Sequence, residues 1–187
     1  VIGELCKKVK IDCYRGSEND VLDRYYQAAK RVTPDNVIRV TADCPLIDAE
    51  LIDYIVAEHI RGDYDYTSNT LVETYPDGLD AEVFKFSVLQ EAWEKAELAS
   101  EREHVTPYIK YKGNYRRHSI ERVPSLGNKR WTVDTDKDFF VISKIYDALY
   151  QEGKYFGTDT ILNFLEKEGT IEQINADIIR NEGYLKS

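Results

Sequence analysis

Apolar residues recur at helical spacing in several stretches of the chain, and shorter β-like stretches separate them. The apolar stripe of residues 2–9 predicts a first helix, because its members fall on one helical face. A second helix is predicted to begin at Ser17, the expected N-cap, and to end at Thr33 and the proline that follows it. Asp48 is the expected N-cap of a third helix, which Gly62 closes.

The predicted strands fall between these helices and in the middle of the chain. Residues 10–14 and 36–42 are short β-like runs in the first part. Residues 64–69 and 79–86 alternate polar and apolar positions with period two, which is typical of half-buried strands. The link between them, residues 70–78, contains Pro, Asp and Gly in succession and is predicted to be a mobile loop over a site.

The second half of the chain is predicted to add strands and capped helices. Thr135 and Asp138 have the spacing of a capping box at the start of a helix, and residues 100–103 show a similar pattern. Two further strands are predicted at residues 115–123 and 129–134.

Helix and strand alternate over most of the chain, with an antiparallel excursion in the middle. This order is typical of an α/β fold, and we expect a three-layer, Rossmann-like, mostly parallel sheet in one domain over residues 1–187. A hydrophobic content of 42% is enough for a sizeable core. The chain contains no methionine and starts at Val1 inside a predicted helix, so we expect that residues upstream are missing.

Composition excludes several classes of partner. A net charge of −9 argues against a nucleic-acid backbone or an anionic membrane, since both favour clustered Lys and Arg. No apolar run approaches the ~20 residues of a membrane-spanning helix. The odd number of cysteines, without CxxC spacing, is typical of reduced thiols in a cytoplasmic protein.

Two aspartates, Asp43 and Asp134, each follow a predicted strand and precede a helix. The carboxyl ends of parallel strands open into the binding crevice of an α/β sheet, so the two carboxylates are candidates for a shared divalent metal. Mg²⁺ suits such a pair because it takes one or two carboxylates together with substrate phosphates. The alternative is that each aspartate only caps the following helix, and the spacing alone favours capping.

Five segments of the chain resemble, in order and with suitable gaps, the acylneuraminate cytidylyltransferase family. The nearest branch is that of the spore-coat polysaccharide biosynthesis cytidylyltransferases. In this family a hydroxyl of a sugar or sugar acid attacks the α-phosphorus of CTP, pyrophosphate leaves and a CMP-sugar forms. The segments are residues 15–24, 40–47, 75–82, 103–107 and 131–135.

The resemblance implies roles for individual residues. Asp43 and Asp134 match the two metal-binding aspartates, with Mg²⁺ as the cofactor and catalysis as their role. The nucleotide-binding candidates lie near the second helix and in the predicted strand that precedes Asp43: Arg15, Asp23, Arg24, Arg39 and Thr41. The candidates for substrate binding lie on the acceptor side and at a later helix start: Asn69, Asp77, Gly78, Asp80, Glu82 and His104. The family also implies a homodimer.

Several of these residues have a simpler alternative. Asp23 and Arg24 fit a solvated helix face, and Asp77 with Gly78 fits ordinary turn chemistry. His104 fits a histidine that bonds the backbone at a helix start. The family also has an upstream glycine-containing loop with an arginine and a lysine, which this sequence lacks, so we expect the sheet to miss its first strand.

Three functions remain open at this point. The leading one is an Mg²⁺-dependent nucleotidyltransferase that makes a CMP-activated sugar for surface or spore-coat polysaccharide. The second is a glycosyltransferase that consumes a nucleotide sugar on a similar fold. The third is a non-catalytic module that binds a sugar or completes the sheet of a partner.

Overall fold

The computed structural model describes residues 1–180 and shows an α/β fold with a mixed sheet. The strands are β1 (Asn36–Arg39), β2 (Tyr66–Ser68), β3 (Glu82–Lys85) and β4 (Arg117–Ser119). The helices are α1 (Ile2–Val9), α2 (Val21–Lys30), α3 (Ala49–Gly62), α4 (Phe86–Lys95), α5 (Ala99–His104), α6 (Pro107–Tyr111), α7 (Asp136–Leu149) and α8 (Thr158–Glu168), followed by a 3₁₀ turn at Ile171–Gln173.

The sheet has the strand order β1-β3-β2-β4 within the described residues. β2 pairs antiparallel with β3, where Thr67 lies opposite Val83. It pairs in parallel with β4, where the same threonine lies opposite His118. The predicted α/β class and the antiparallel excursion in the middle of the chain are therefore confirmed.

The chain divides into two compact units. The first comprises residues 1–37 and 85–115, and the second comprises residues 38–84 and the described residues from 116 onward. The prediction of one domain stays a prediction. None of the helices within residues 1–180 combines the length and apolar composition that a membrane crossing requires.

Aromatic stacking organises the first unit. The ring of Tyr26 on α2 stacks on Trp93 of α4 with centroids 4.2 Å apart, and Phe86 lies on the same ring at 6.0 Å. Leu22 and Leu89 are fully buried beside them. These contacts hold α2 against α4 through large apolar surfaces, which is the dominant source of stability in such a small unit.

The core of the second unit is formed by α3, α7 and α8 with the strands and the segment that precedes α7. Trp131 is its largest fully buried side chain, and Ile55, Leu79, Ile145 and Ile161 are also almost completely buried. Burial of such side chains stabilises the fold by about 1.5–3 kcal/mol each relative to exposure. This core fixes the backbone of the segments that carry the candidate site.

Asp48 begins α3, as the sequence predicts, and it also fixes the start of α8. Its Oδ1 accepts hydrogen bonds from the backbone N–H groups of Glu50 (2.9 Å) and Leu51 (3.1 Å) and from the hydroxyl of Tyr155 (2.5 Å). Its Oδ2 accepts from the backbone N–H (2.8 Å) and the hydroxyl (2.5 Å) of Thr158. Burial alone would raise the pKa of Asp48, but these hydrogen bonds outweigh it and lower the pKa.

Two predictions about the first forty residues are wrong. The N-cap of α2 is Asp20, whose carboxylate accepts from the N–H of Asp23 at 2.9 Å, and not Ser17. Arg102 of α5 holds the carboxylate of Asp20 at 2.7 Å, and this distant contact selects the later cap. Residues 10–14 form no strand, because strand propensity has no effect without a neighbouring strand to supply hydrogen bonds.

The predicted strands of the second half are shorter than expected. Within residues 115–123 only Arg117–Ser119 pairs as a strand. Residues 129–134 form no regular strand, although an isolated parallel pairing joins Arg130 to Asp77. Hydrogen bonds to two different loops take the place of a continuous strand ladder there. The periodicity therefore predicted an extended segment but not its hydrogen-bond partners.

Replacing Asp48 with alanine should destabilise the protein by about 3 kcal/mol, because two helix starts lose their acceptor in one buried position. Asp48→Asn should cost less, since asparagine is also a good N-cap and keeps an acceptor oxygen. Urea unfolding at neutral pH measures both. A loss below ~1 kcal/mol for Asp48→Ala would show that the cap of α8 does not depend on this carboxylate.

Candidate functional site

The segment at residues 129–134 contains one predicted metal-binding aspartate, Asp134, and contacts the backbone of the other, Asp43. The N–H of Val133 donates to the carbonyl oxygen of Asp43 at 2.9 Å, and the hydroxyl of Thr132 donates to the same oxygen at 3.1 Å. Asp134 is the last residue of this segment. The backbones next to both aspartates are therefore in contact, while the side chains of Asp43 and Asp134 are exposed to solvent.

The predicted acceptor segment, residues 75–82, lies against the same stretch of chain. The N–H of Asp77 donates to the carbonyl of Lys129 at 3.0 Å, and the N–H of Trp131 donates back to the carbonyl of Asp77 at 2.6 Å. Gly78 follows with φ of 105°, and a Cβ there would lie 2.4 Å from the carbonyl carbon of Trp131 and 2.5 Å from the nitrogen of Thr132. Only glycine fits this close backbone approach.

The turn at Asp43 is held by its neighbours. The hydroxyl of Thr41 and the thiol of Cys44 lie 3.1 Å apart, and the thiol lies 3.5 Å from Oδ1 of Asp43. Burial raises the pKa of Cys44 to about 12, so it remains a protonated thiol that can donate to the carboxylate. Thr41, a nucleotide-binding candidate, is thus part of the turn that presents Asp43.

Arg130 joins Asp134 to the acceptor segment. Its Nη2 contacts Oδ2 of Asp134 at 2.6 Å, and its Nη1 contacts Oδ2 of Asp77 at 3.0 Å. Its Nε and Nη2 donate to the two oxygens of Asp138 at 2.9 and 3.0 Å. Asp138 has no exposed side-chain surface and also accepts from Asn175 at 2.9 Å.

The charge state of Asp138 follows from this arrangement. Burial alone would raise its pKa, but the hydrogen bonds from Arg130 and Asn175 lower it to about 2. The same carboxylate raises the pKa of the Arg130 guanidinium, against the effect of burial. Both groups are therefore ionised at neutral pH.

Arg180 is a second arginine that holds the acceptor segment. Its Nη1 donates to the carbonyl of Tyr75 at 3.1 Å and its Nη2 to Oδ1 of Asp80 at 2.9 Å. Its Nε lies 3.7 Å from Oδ1 of Asp77. Burial raises the pKa of Asp77, and the positive charges of Arg180 and Arg130 oppose that effect only in part.

Arg39 and Glu82 meet in a buried ion pair between neighbouring strands. Nη1 of Arg39 contacts Oε2 of Glu82 at 2.5 Å, and the hydroxyl of Tyr66 donates to Oε1 at 2.5 Å. Burial raises the pKa of Tyr66 well above its usual value, and the charge of Glu82 adds to the shift. A nucleotide-binding and a substrate-binding candidate thus bind each other here.

Asn69 is completely buried and bonded to the backbone. Its amide donates to the carbonyl of Leu79 at 2.8 Å, and its side-chain oxygen accepts from the N–H of Ala81 at 2.9 Å. These contacts close the link between β2 and β3. Its role in sugar binding stays a prediction, while its structural role is plain.

The remaining candidates lie in the first unit. Arg15 is exposed in an irregular segment, and His104 ends α5. The carboxylate of Asp23 accepts from the indole N–H of Trp93 at 2.8 Å, so it helps to hold α4. Arg24 lines a largely apolar groove of about 500 Å³, together with Tyr14.

Arg130, Arg180 and Cys44 are site residues that sequence reasoning missed. Arg130 contacts Asp77 and Arg180 contacts Asp80 across large sequence separations, so no local pattern marks these two contacts. A signal for Cys44 exists, because it lies directly between Asp43 and Pro45.

Gly78→Ala should cost about 3 kcal/mol of unfolding free energy, because it adds a backbone collision to an unfavourable φ. Gly153→Ala is the matched control, since Gly153 also has positive φ (75°) but nothing within 4 Å of the added carbon. It should cost only about 1 kcal/mol. Equal losses in urea unfolding would mean that the approach to Trp131 does not constrain Gly78.

The stability of the protein should fall as the pH drops from 4 to 2 because of Asp138. Its folded pKa of about 2 lies below the usual 3.8, so its contribution is complete above pH 4 and is lost as the carboxylate protonates in the folded state. The loss is about 2 kcal/mol. The Asp138→Asn variant should be less stable than the unmodified protein at pH 5, and its stability in urea unfolding should lack this part of the pH dependence. An unchanged pH profile of stability would contradict this prediction.

Several known proteins are similar to this chain in sequence. The family model described as Cytidylyltransferase matches residues 1–182. The uncharacterised protein MJ1063 of Methanocaldococcus jannaschii is 38% identical over 188 residues, which cover 98% of this chain and 74% of that protein. The spore coat polysaccharide biosynthesis protein SpsF of Bacillus subtilis is 33% identical over 148 residues, which cover 75% of this chain and 59% of SpsF.

A solved structure extends the comparison to the fold. It is a cytidylyltransferase from Leptospira borgpetersenii serovar Hardjo-bovis, 28% identical, with a TM-score of 0.86 over 92% of this chain and 73% of that one. The finer assignment to acylneuraminate enzymes stays a prediction. Since the family match extends over nearly the whole chain and a cytidylyltransferase has the same fold, the chain belongs to the Cytidylyltransferase family and is a nucleotidyltransferase.

Proposed function

We propose that this protein activates a sugar or sugar acid with CTP in an Mg²⁺-dependent reaction that releases pyrophosphate. The observation that carries the proposal is the contact between the N–H of Val133 and the carbonyl of Asp43. It brings two aspartates that are distant in sequence, Asp43 and Asp134, to one place with solvent-exposed carboxylates. Family membership supports the transfer of a cytidylyl group.

The donor set fits a magnesium ion. Within residues 1–180, no three His, Cys, Asp or Glu side chains converge in a group that could hold a metal. Two hard carboxylates are nevertheless sufficient for Mg²⁺, which keeps several waters and takes its other ligands from substrate phosphates. Asp43 and Asp134 would hold it, and when bound it would neutralise charge on the phosphates.

The acceptor segment offers groups that can orient a sugar hydroxyl. The Asp80 carboxylate is 27% exposed and is fixed by Arg180, so it can accept a hydrogen bond from a hydroxyl without a large rearrangement. Asp77 lies next to it and is held by Arg130. Holding the attacking oxygen in one orientation is a large part of the rate gain in such transfers.

We assign nucleotide contacts in the first unit to Arg15 and Arg24. Their guanidinium groups suit bidentate contacts with phosphate oxygens. Asp23 is a weaker candidate, because its carboxylate already accepts from Trp93 and Gln27. His104 remains proposed as a substrate-binding residue.

The biological role is proposed from a relative. SpsF is named as a spore coat polysaccharide biosynthesis protein, which favours the proposal that this protein supplies a nucleotide sugar for surface polysaccharide. The free thiols of Cys6, Cys13 and Cys44 favour a cytoplasmic location. A homodimer is part of the same proposal.

Asp43→Asn and Asp134→Asn should each lower the turnover of CTP by on the order of 100-fold or more, because each removes a charged metal ligand. Stability should change little, since both side chains are exposed. The measurement is pyrophosphate release by the full-length protein with a panel of sugars, detected as phosphate after adding pyrophosphatase.

Asp147→Asn is the control, because Asp147 is an exposed aspartate of α7 outside the site and should retain full activity. Full activity of either site variant would refute the metal assignment. Release of a nucleotide from a nucleotide sugar, without pyrophosphate formation from CTP, would identify a glycosyltransferase instead.

A further inference from the structure

The guanidinium group of Arg130 contacts Asp134 and the acceptor segment at once. Its Nη2 lies 2.6 Å from Asp134 and its Nη1 lies 3.0 Å from Asp77. We propose that Arg130 is a positioning residue that couples cation binding at Asp134 to the charge of Asp77 on the acceptor segment. This inference rests on the proposed function, because it takes Asp134 as a metal ligand.

The anchor of Arg130 is rigid enough for this role. Asp138 is fully buried and accepts hydrogen bonds from Nε and Nη2 of Arg130, from Asn175 and from the backbone N–H of Thr135. The guanidinium group is a planar fork, so fixing one edge also fixes the direction of its remaining N–H groups. Those groups donate to Asp77 and Asp134.

The coupling follows from competition for one positive charge. A cation that binds Asp134 shares that carboxylate with Nη2 of Arg130 and weakens the existing ion pair. Asp77 stabilises the guanidinium on the opposite arm, which makes the release of Asp134 easier. If Asp77 loses its charge, Arg130 holds Asp134 more strongly, and the cation binds more weakly.

Asp80 distinguishes this effect from a general loss of negative charge. It lies on the same segment as Asp77, but Nη2 of Arg180 holds its carboxylate at 2.9 Å, whereas Nη1 of Arg130 contacts Asp77. Asp77→Asn and Asp80→Asn each remove one unit of charge near the site. A through-space effect would weaken cation binding similarly in both, whereas coupling through Arg130 affects only the first.

The experiment uses Mn²⁺ alone as the probe for the full-length protein, with free Mn²⁺ measured by electron paramagnetic resonance at constant pH. Asp77→Asn should weaken Mn²⁺ binding about fivefold or more, and Asp80→Asn less than twofold. In an Arg130→Lys background, the Asp77→Asn effect should fall below twofold, because lysine keeps the charge but cannot contact both carboxylates together. Thermal unfolding of each variant is recorded in parallel, since a purely structural role would change the melting temperature without changing the coupling.

The outcomes separate this inference from the proposed function. If the protein does not bind Mn²⁺, or if Asp43→Asn leaves the affinity unchanged, the metal site itself is wrong and the inference falls with it. If Mn²⁺ binds through Asp43 but Asp77→Asn and Asp80→Asn have equal effects, the metal site stands and the coupling is refuted. This comparison needs only the Arg130 protein, so it decides the question even if Arg130→Lys fails to fold.

Discussion

The buried ion pair between Arg130 and Asp138 is the interaction on which the second unit depends. Asp138 has no exposed surface, and a carboxylate in that position would be strongly unfavourable without compensation. Two hydrogen bonds from Arg130, one from Asn175 and the N–H groups at the start of α7 provide it. The same carboxylate closes the capping box with Thr135. The start of α7, the segment before it and the region of Asn175 are therefore fixed by one buried charge.

The candidate site is built on backbone contacts, which leaves its side chains available. Hydrogen bonds from Val133 and Thr132 hold the carbonyl of Asp43, so the position of this residue does not depend on its carboxylate. The carboxylate of Asp134 is more than half exposed, and its contact with Arg130 can be exchanged for a cation. Because hydrogen bonds hold the backbone and the side chain is exposed, the same residue can be tightly positioned and still take part in chemistry.

Sequence reasoning succeeded at two helix starts where the deciding contact is local, but the capping box predicted at residues 100–103 is wrong, because the helix there begins after Leu98. The caps at Asp48 and at Thr135 use donors within three residues, so the pattern alone identifies them. It failed where a distant residue decides. Asp20 replaces Ser17 as a cap because Arg102 binds it, and residues 10–14 lack the neighbour that a strand requires. The contacts of Arg130 with Asp77 and of Arg180 with Asp80 could not be predicted for the same reason, since these pairs become neighbours only through the fold.

The resemblance to a known family marks important positions without saying why each is important. Asn69 bonds two backbone groups and Gly78 packs against a peptide, so the fold itself requires both residues. Glu82 is occupied by Arg39 and Tyr66 and has almost no exposed surface. On the acceptor side, Asp80 keeps part of its carboxylate exposed while an arginine fixes its orientation. A group that recognises a sugar hydroxyl must be both oriented and reachable, and Asp80 meets this requirement better than the three buried candidates beside it.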